Sequence, residues 1–280
     1  MYRGRIAPSP TGYLHVGHAI TFWHAQRRVR EANGKMVVRI EDLDPQRCRE
    51  KFTTAAFDDL KWFGLEWDEG PDVGGEFGPY MQSQRRALYL DAWRKLRDAN
   101  LIYPCRCSRK DVQQAALAPH NEDEEPIYSG TCRPRDAKQL TEARQAVDPG
   151  GVHWRFRVPD GKQLRFVDGH CGEQVATAGR DFGDFVVWRK DDVPAYQLAV
   201  VVDDAAMRIT EIVRGQDLLT STFRQLLLYG ALGQNAPRFH HTSLVLDEFG
   251  KRLAKRDAAR SLRALRESGV SPGEIRRRYL

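Results

Sequence analysis

The chain has 280 residues, 41% of them hydrophobic and 29% charged. That is an ordinary globular composition with room for one large α/β domain, or for a catalytic domain carrying an insertion. The opening MYRGRIAPSPTG has no apolar core of the signal-peptide kind, and no apolar run approaches the ~20 residues of a membrane span, which argues against secreted and membrane-spanning classes. The formal net charge is +6, and residues 251–280 hold ten Lys/Arg against three Asp/Glu, so the excess is all in that tail. Such a tail is either a solvated arginine-rich helix or a contact for a nucleic-acid backbone. Five cysteines, an odd number, point to a reducing cytoplasm with free or metal-bound thiols.

Arg5-Ile6-Ala7 reads as a short strand entering the turn Pro8-Ser9-Pro10-Thr11-Gly12. Apolar spacing predicts helices over 15–32, 46–64 and 83–100, and the β-rich run 35–41 predicts a buried strand. Strand and helix alternating at this spacing predict a parallel sheet with helices on its faces. From 101 to 181 the pattern breaks into loops, cysteines, an acidic loop (121–126) and short β segments such as 153–158. This stretch is expected to be an α+β insertion within a catalytic domain formed by 1–100 and 182–250, with 251–280 as a basic loop and short helices (257–267 and 272–279). Strand-like segments resume at 184–189, 199–202 and 208–213, with a helix near 218–232 and a strand at 241–247.

The stretch Pro8-Ser-Pro-Thr-Gly-Tyr-Leu-His15-Val-Gly17-His18 delivers a strand through a tight turn onto a helix start. Free N–H groups and the positive dipole end there suit phosphates. Gly17, lacking a Cβ, admits a flat group such as adenine, and His15 and His18, three apart, can serve one polyphosphate. Gly250-Lys-Arg252-Leu-Ala254-Lys255-Arg256 is a lysine-bearing loop able to neutralise a triphosphate as pyrophosphate leaves. Cys105-Arg-Cys107 and Tyr128-x-x-x-Cys132 bring three thiols that suit a tetrahedral zinc knuckle; from spacing, His120 and Tyr128 are both open as a fourth ligand.

Together these pieces resemble the class I aminoacyl-tRNA synthetases. His15-Val-Gly-His18 matches their HIGH motif, and Arg252-Leu-Ala-Lys255-Arg256 matches their KMSKS loop, with Arg252, Ala254 and Arg256 as departures. The segments Arg5–Gly12, Arg39-Ile-Glu41-Asp-Leu-Asp44 and Tyr196…Asp203-Asp204…Arg214-Gly resemble the glutamyl branch. The resemblance implies a Rossmann-type doubly wound parallel sheet. It implies an ATP site at Thr11, His15, Gly17, His18 and Lys255, with His15, His18 and Lys255 catalytic and Mg²⁺ accompanying ATP. It also implies a glutamate pocket of Arg5, Ala7, Ser9, Glu41, Tyr196 and Arg214. The chemistry is coherent. Arginine forks bind carboxylates in two places, Glu41 can take the α-ammonium, and Ser9 and Tyr196 supply neutral hydrogen bonds.

The arrangement Cys105, Cys107, Tyr128, Cys132 resembles the zinc site of one sub-branch, which attaches glutamate to queuosine in the anticodon of tRNA(Asp). That resemblance implies structural zinc, activation of L-glutamate without tRNA, and a monomer. It accommodates a chain ending 25 residues after Lys255, where a separate anticodon-reading domain is not expected. Three rival readings stand beside it. They are an enzyme charging the 3′ end of tRNA(Glu), a silent RNA-binding paralogue, and a small-molecule nucleotidyltransferase with an HxGH motif.

Overall fold

Strand β1 (Arg3–Ile6), helix α1 (Val16–Glu31) and strand β2 (Lys35–Val38) open the computed structural model, which describes residues 1–115, 127–245 and 261–280. β1 and β2 run parallel, in register from Arg3↔Lys35 to Ile6↔Val38, as the strand–helix–strand spacing predicts. Helices α2 (Glu50–Phe63) and α3 (Arg86–Asp98) fall inside the two expected helical segments. Gly64 ends α2 at φ 92°, a left-handed position that a residue with a Cβ would occupy under strain.

The middle of the chain supplies β3 (Ile102–Cys105), α4 (Arg109–Ala115), α5 (Ala137–Arg144), β4 (His153–Phe156), β5 (Gln163–Asp168), β6 (Gly172–Thr177) and β7 (Phe185–Trp188). After them come α6 (Tyr196–Ala206), β8 (Glu211–Gly215), α7 (Leu219–Ala231), β9 (Arg238–Thr242), α8 (Leu262–Glu267) and α9 (Pro272–Tyr279). Ser271 and Glu274 cap α9 reciprocally, with Pro272 in its first turn, which explains its sharp start.

The expected all-parallel sheet is corrected to mixed sheets. β8 and β9 are parallel, β9 meets β5 in parallel at Asp168↔Phe239, and β6 closes that sheet antiparallel to β5. A connection of three residues between β5 and β6 can only join antiparallel strands. β1 lies against the start of β8, where the Arg3 N–H donates to Thr210 Oγ1 and the Thr210 N–H to the Arg3 carbonyl, both at 2.9 Å. A second, antiparallel sheet has the order β3–β4–β7. The strand expected at 241–247 runs instead from Arg238 to Thr242; residues 243–245 are not strand, and 246 and 247 lie outside the described residues.

One secondary-structure expectation is overturned. Residues 199–202, a β-branched run, are helical and belong to α6. Leu198, Ala199, Val200 and Val201 are all wholly buried, so packing on every side decides the conformation over intrinsic β preference. The helix also delivers Asp203 and Asp204 into the interior, where basic side chains await them.

Among the described residues two large apolar clusters form the core, beside a small one around Tyr103, Cys105, Val112 and Tyr128. One packs α1, α2, α9 and the first strand pair through Ile6, Ile20, Val38, Leu60, Phe63 and Ile275. The other packs α3, α6, α7 and the antiparallel sheet around Trp93, Trp154 and Trp188. No helix among the described residues is long and apolar enough to cross a membrane.

Between the clusters, Asp203 accepts from Arg85 Nε at 2.6 Å and from Gln82 Nε2 and the Tyr89 hydroxyl at 2.8 Å. Removing one member of such a network leaves buried charge unanswered. Asp203→Ala is expected to cost about 3–5 kcal/mol of unfolding free energy, read by denaturant titration, whereas an exposed control, Asp98→Ala, is expected to change it by under about 0.5 kcal/mol.

Candidate active site

The strands β1, β2 and β8 end side by side, and a cleft of about 350 Å³ opens at their carboxyl ends. This is where open α/β sheets place their ligands. Arg5, Ala7 and Ser9 enter it from the end of β1, His15, Gly17 and His18 from the start of α1, and Glu41 from beyond β2. Tyr196 comes from the first turn of α6 and Arg214 from β8. The structure therefore brings together every described candidate for the nucleotide and amino-acid sites except Thr11, which is not among the lining residues. The Thr11 N–H instead closes the turn onto the Ser9 carbonyl at 2.8 Å. Arg252, Ala254, Lys255 and Arg256 lie outside the described residues, as does His120. The residues flanking that loop reach the cleft: Val245 lines it, and Ser261 bridges to His15.

Sequence reasoning missed Thr21, Phe22, Asp217, Leu244 and Val245, which also line the cleft. Helical spacing from His18 could have found Thr21 and Phe22. Asp217 sits three residues beyond Arg214 and carried no signal of its own.

The two histidines meet. Their rings are 3.7 Å apart, and His18 Nδ1 accepts the His15 N–H at 3.4 Å. A Cβ on residue 17 would stand 3.0 Å from the His15 ring, so glycine there lets that imidazole fold back over the helix start.

Behind the cleft lies a buried charge network. Arg39 is 0% exposed. It donates to Asp204 Oδ1 at 2.6 Å and to Glu41 Oε1 at 3.1 Å, with Asp203 at 3.7 Å. Arg5 Nε lies 3.5 Å from Asp204. Burial raises the Glu41 carboxyl above its usual range despite Arg39 and Arg5. Arg214 is different. Its Nε donates to His241 Nε2 at 3.0 Å, its Nη2 to Thr222 Oγ1 at 2.8 Å, and its Nη1 faces the Tyr196 hydroxyl at 3.5 Å. All of these are neutral, and burial pulls its pKa below the ordinary guanidinium value.

His241 Nδ1 lies 2.6 Å from Asp168 Oδ2. Burial, then the charge of Arg214, pushes His241 down to about 4. Burial raises Asp168, but backbone N–H groups of Cys171, His170 and His241 and the His241 ring outweigh it and bring the carboxyl to about 2.

A separate cluster joins Cys105, Cys107 and Cys132, whose sulfurs all lie within 4.8 Å of one another, and the cysteines are free. The Tyr128 oxygen is 3.4 Å from the Cys105 sulfur and 3.5 Å from that of Cys107, and the Cys107 and Cys132 sulfurs are 3.5 Å apart. A tetrahedral ion with ~2.3 Å bonds to sulfur and ~2.0 Å to oxygen would set sulfurs ~3.8 Å from each other and ~3.5 Å from the oxygen, so the residues fit. Burial raises the Cys132 thiol, but hydrogen bonding from the Arg106 backbone and from Tyr128 and Cys107 brings it down to about 7. Arg155 donates to Cys105 Sγ at 3.3 Å and lies over the Tyr128 ring at 3.9 Å, favouring anionic ligands.

The Asp168–His241 pair predicts acid sensitivity. The unfolded imidazole takes up a proton below 6.5, while the folded one stays neutral down to about 4, so the unfolded state binds more protons across that window. Stability is expected to fall by roughly 3 kcal/mol from this group as pH drops from 6.5 to 4. Below that, Asp168 contributes stability that is lost as pH falls from 3.8 toward 2. Denaturant titrations across pH should show the first decline, and His241→Phe should flatten it.

Residues 1–278 match the family "tRNA synthetases class I (E and Q), catalytic domain". A Glutamyl-Q tRNA(Asp) synthetase from Symbiobacterium thermophilum is 48% identical over 98% of the chain and 84% of the relative. Another of that name, from Nitratidesulfovibrio vulgaris, is 46% identical over the same shares. The crystal structure of a glutamate tRNA ligase from Elizabethkingia meningosepticum, in complex with its amino acid, superposes with a TM-score of 0.74 at 30% identity, covering 91% of this chain and 52% of that one. The chain thus spans about half the length of that solved structure.

Proposed function

The chain belongs to the class I tRNA synthetases of the E and Q type and is an enzyme of that ligase type, and from this premise we propose that it activates L-glutamate with ATP and transfers it to queuosine in tRNA(Asp). The observation that carries the substrate choice is Arg214, a buried cation at the cleft wall held only by neutral groups. A substrate carboxylate answers that charge, and a carboxamide does not. Glu41, opposite, takes the α-ammonium, while Arg5, Ala7, Ser9 and Tyr196 complete the pocket.

In the first step the α-carboxylate oxygen attacks the α-phosphorus of ATP and pyrophosphate leaves, giving glutamyl-adenylate. Catalysis is positioning and charge stabilisation. His15 and His18 at the start of α1 stabilise the departing phosphates with Lys255, Gly17 shapes the nucleotide site, and Mg²⁺ enters with ATP. In the second step a hydroxyl of the queuosine cyclopentenediol attacks the activated carbonyl and AMP leaves. The queuosine assignment is supported by the 46–48% identity to relatives bearing that activity in their names. Zinc at Cys105, Cys107, Tyr128 and Cys132 is structural in this reading, since the protein supplies all of the ligands.

ATP–pyrophosphate exchange without tRNA is expected with glutamate and not with glutamine or aspartate. Exchange that needs tRNA would favour charging of a tRNA 3′ end, and no exchange under either condition would sink the activation chemistry. Elemental analysis is expected to find about one zinc per chain, and chelation to lower the melting temperature more than it lowers exchange in protein that stays folded.

A further inference from the structure

The two arginines nearest Asp204 are held by carboxylates, whereas Arg214 is held through an imidazole. His241 is 0% exposed and bonds on both sides of its ring. Nδ1 is 2.6 Å from Asp168 Oδ2, an acceptor, so the ring proton sits on Nδ1. The Nε2 lone pair is thereby turned toward Arg214 Nε at 3.0 Å and the Thr222 hydroxyl at 3.2 Å. Asp168 is itself fixed, accepting the backbone N–H groups of His170 at 2.9 Å, Cys171 at 2.8 Å and His241 at 3.1 Å.

A guanidinium that must read a carboxylate has two needs that conflict. Its fork must be held in one orientation, yet a carboxylate bonded directly to it would cancel the charge that selects the substrate. A neutral imidazole with a fixed tautomer meets both needs. The anion that fixes the tautomer stands one ring further away.

We propose that His241 and Asp168 are positioning residues that hold the Arg214 fork while leaving its charge free, and so set the preference for an acidic over an amide side chain. This rests on the glutamate-activating reading above. Neither residue lies in the segments that carry the family resemblance, and Asp168 reaches His241 from the end of β5, where the β5–β6 hairpin begins its turn.

The test is ATP–pyrophosphate exchange by the full chain, titrating glutamate, glutamine and ATP separately. His241→Phe keeps a ring beside Phe239 and Phe166 and removes both nitrogens. It is expected to raise the glutamate KM by about tenfold or more and to lower glutamate-over-glutamine discrimination by a similar factor, with the ATP KM changed less than about twofold. His241→Gln restores an acceptor and is expected to return the glutamate KM to within about threefold of the unmodified enzyme. Asp168→Asn can donate to Nδ1 and move the ring proton to Nε2, facing Arg214, so its glutamate KM is also expected to rise. A merely structural lesion would lower the active fraction without moving the glutamate KM apart from the ATP KM. The proposal is overturned if His241→Phe or Asp168→Asn keeps the glutamate KM and discrimination of the unmodified enzyme, or if His241→Gln is as impaired as His241→Phe. Absence of glutamate exchange in the unmodified enzyme would instead remove the glutamate reading and this one with it.

Discussion

Arg39 has no access to water, and the elements around it are placed to answer its charge: Asp204 at 2.6 Å and Asp203 at 3.7 Å from α6, and Glu41 at 3.1 Å from just past β2. An isolated buried guanidinium would be intolerable, and each partner is itself shared. Asp203 also takes Arg85, Gln82 and Tyr89, and Asp204 also faces Arg5. The network therefore ties the end of β1, the end of β2, the start of α3 and the last turns of α6 to one another. Those are the elements that carry Arg5, Ser9, Glu41 and Tyr196 to the cleft. A network of this kind contributes little net stability against an apolar alternative, but it fixes where its members stand.

The same constraint explains why Arg214 differs. With Asp203, Asp204 and Glu41 already committed to Arg39, Arg85 and Arg5, no carboxylate among the described residues lies within ion-pair distance of Arg214. Its burial is made tolerable by hydrogen bonds that it donates to neutral acceptors, which satisfy geometry and leave charge. Arg214 thus meets the cleft without an ion-pair partner among the described residues, while the helix start with His15 and His18 lines the same cleft.

The sequence made these local features legible because each is contiguous. Pro8 to His18 reads as strand, turn and helix start, and Arg39 to Glu41 as a charged strand end. Their chemistry follows from residue type, and the family resemblance supplied Tyr196 and Arg214. What it hid was non-local. The run Ala199–Val202 looks like strand, because only the partners of Asp203 and Asp204, far away in the chain, reveal that it is a helix. The β5–β6 hairpin looked like a feature of the irregular middle, because its pairing with β9 spans some seventy residues. Cys105, Cys107 and Cys132 were legible by residue type; spacing left His120 and Tyr128 both open, the family resemblance pointed to Tyr128, and the fold sets its oxygen beside two of the sulfurs.

That hairpin pairing has a mechanical consequence. Asp168 ends β5, caps its own turn and accepts both the backbone and the ring of His241. His241 and Arg214 are register partners on β9 and β8. Any shift of the hairpin relative to β9 would therefore break the Asp168 contact and free the imidazole to exchange tautomers, placing a proton against Arg214 Nε. On the proposed reading, the pocket's selectivity is thus coupled to strand register: the irregular middle of the chain reaches Arg214 through Asp168 and His241, and the fork of Arg214 is only as fixed as the β5–β9 pairing.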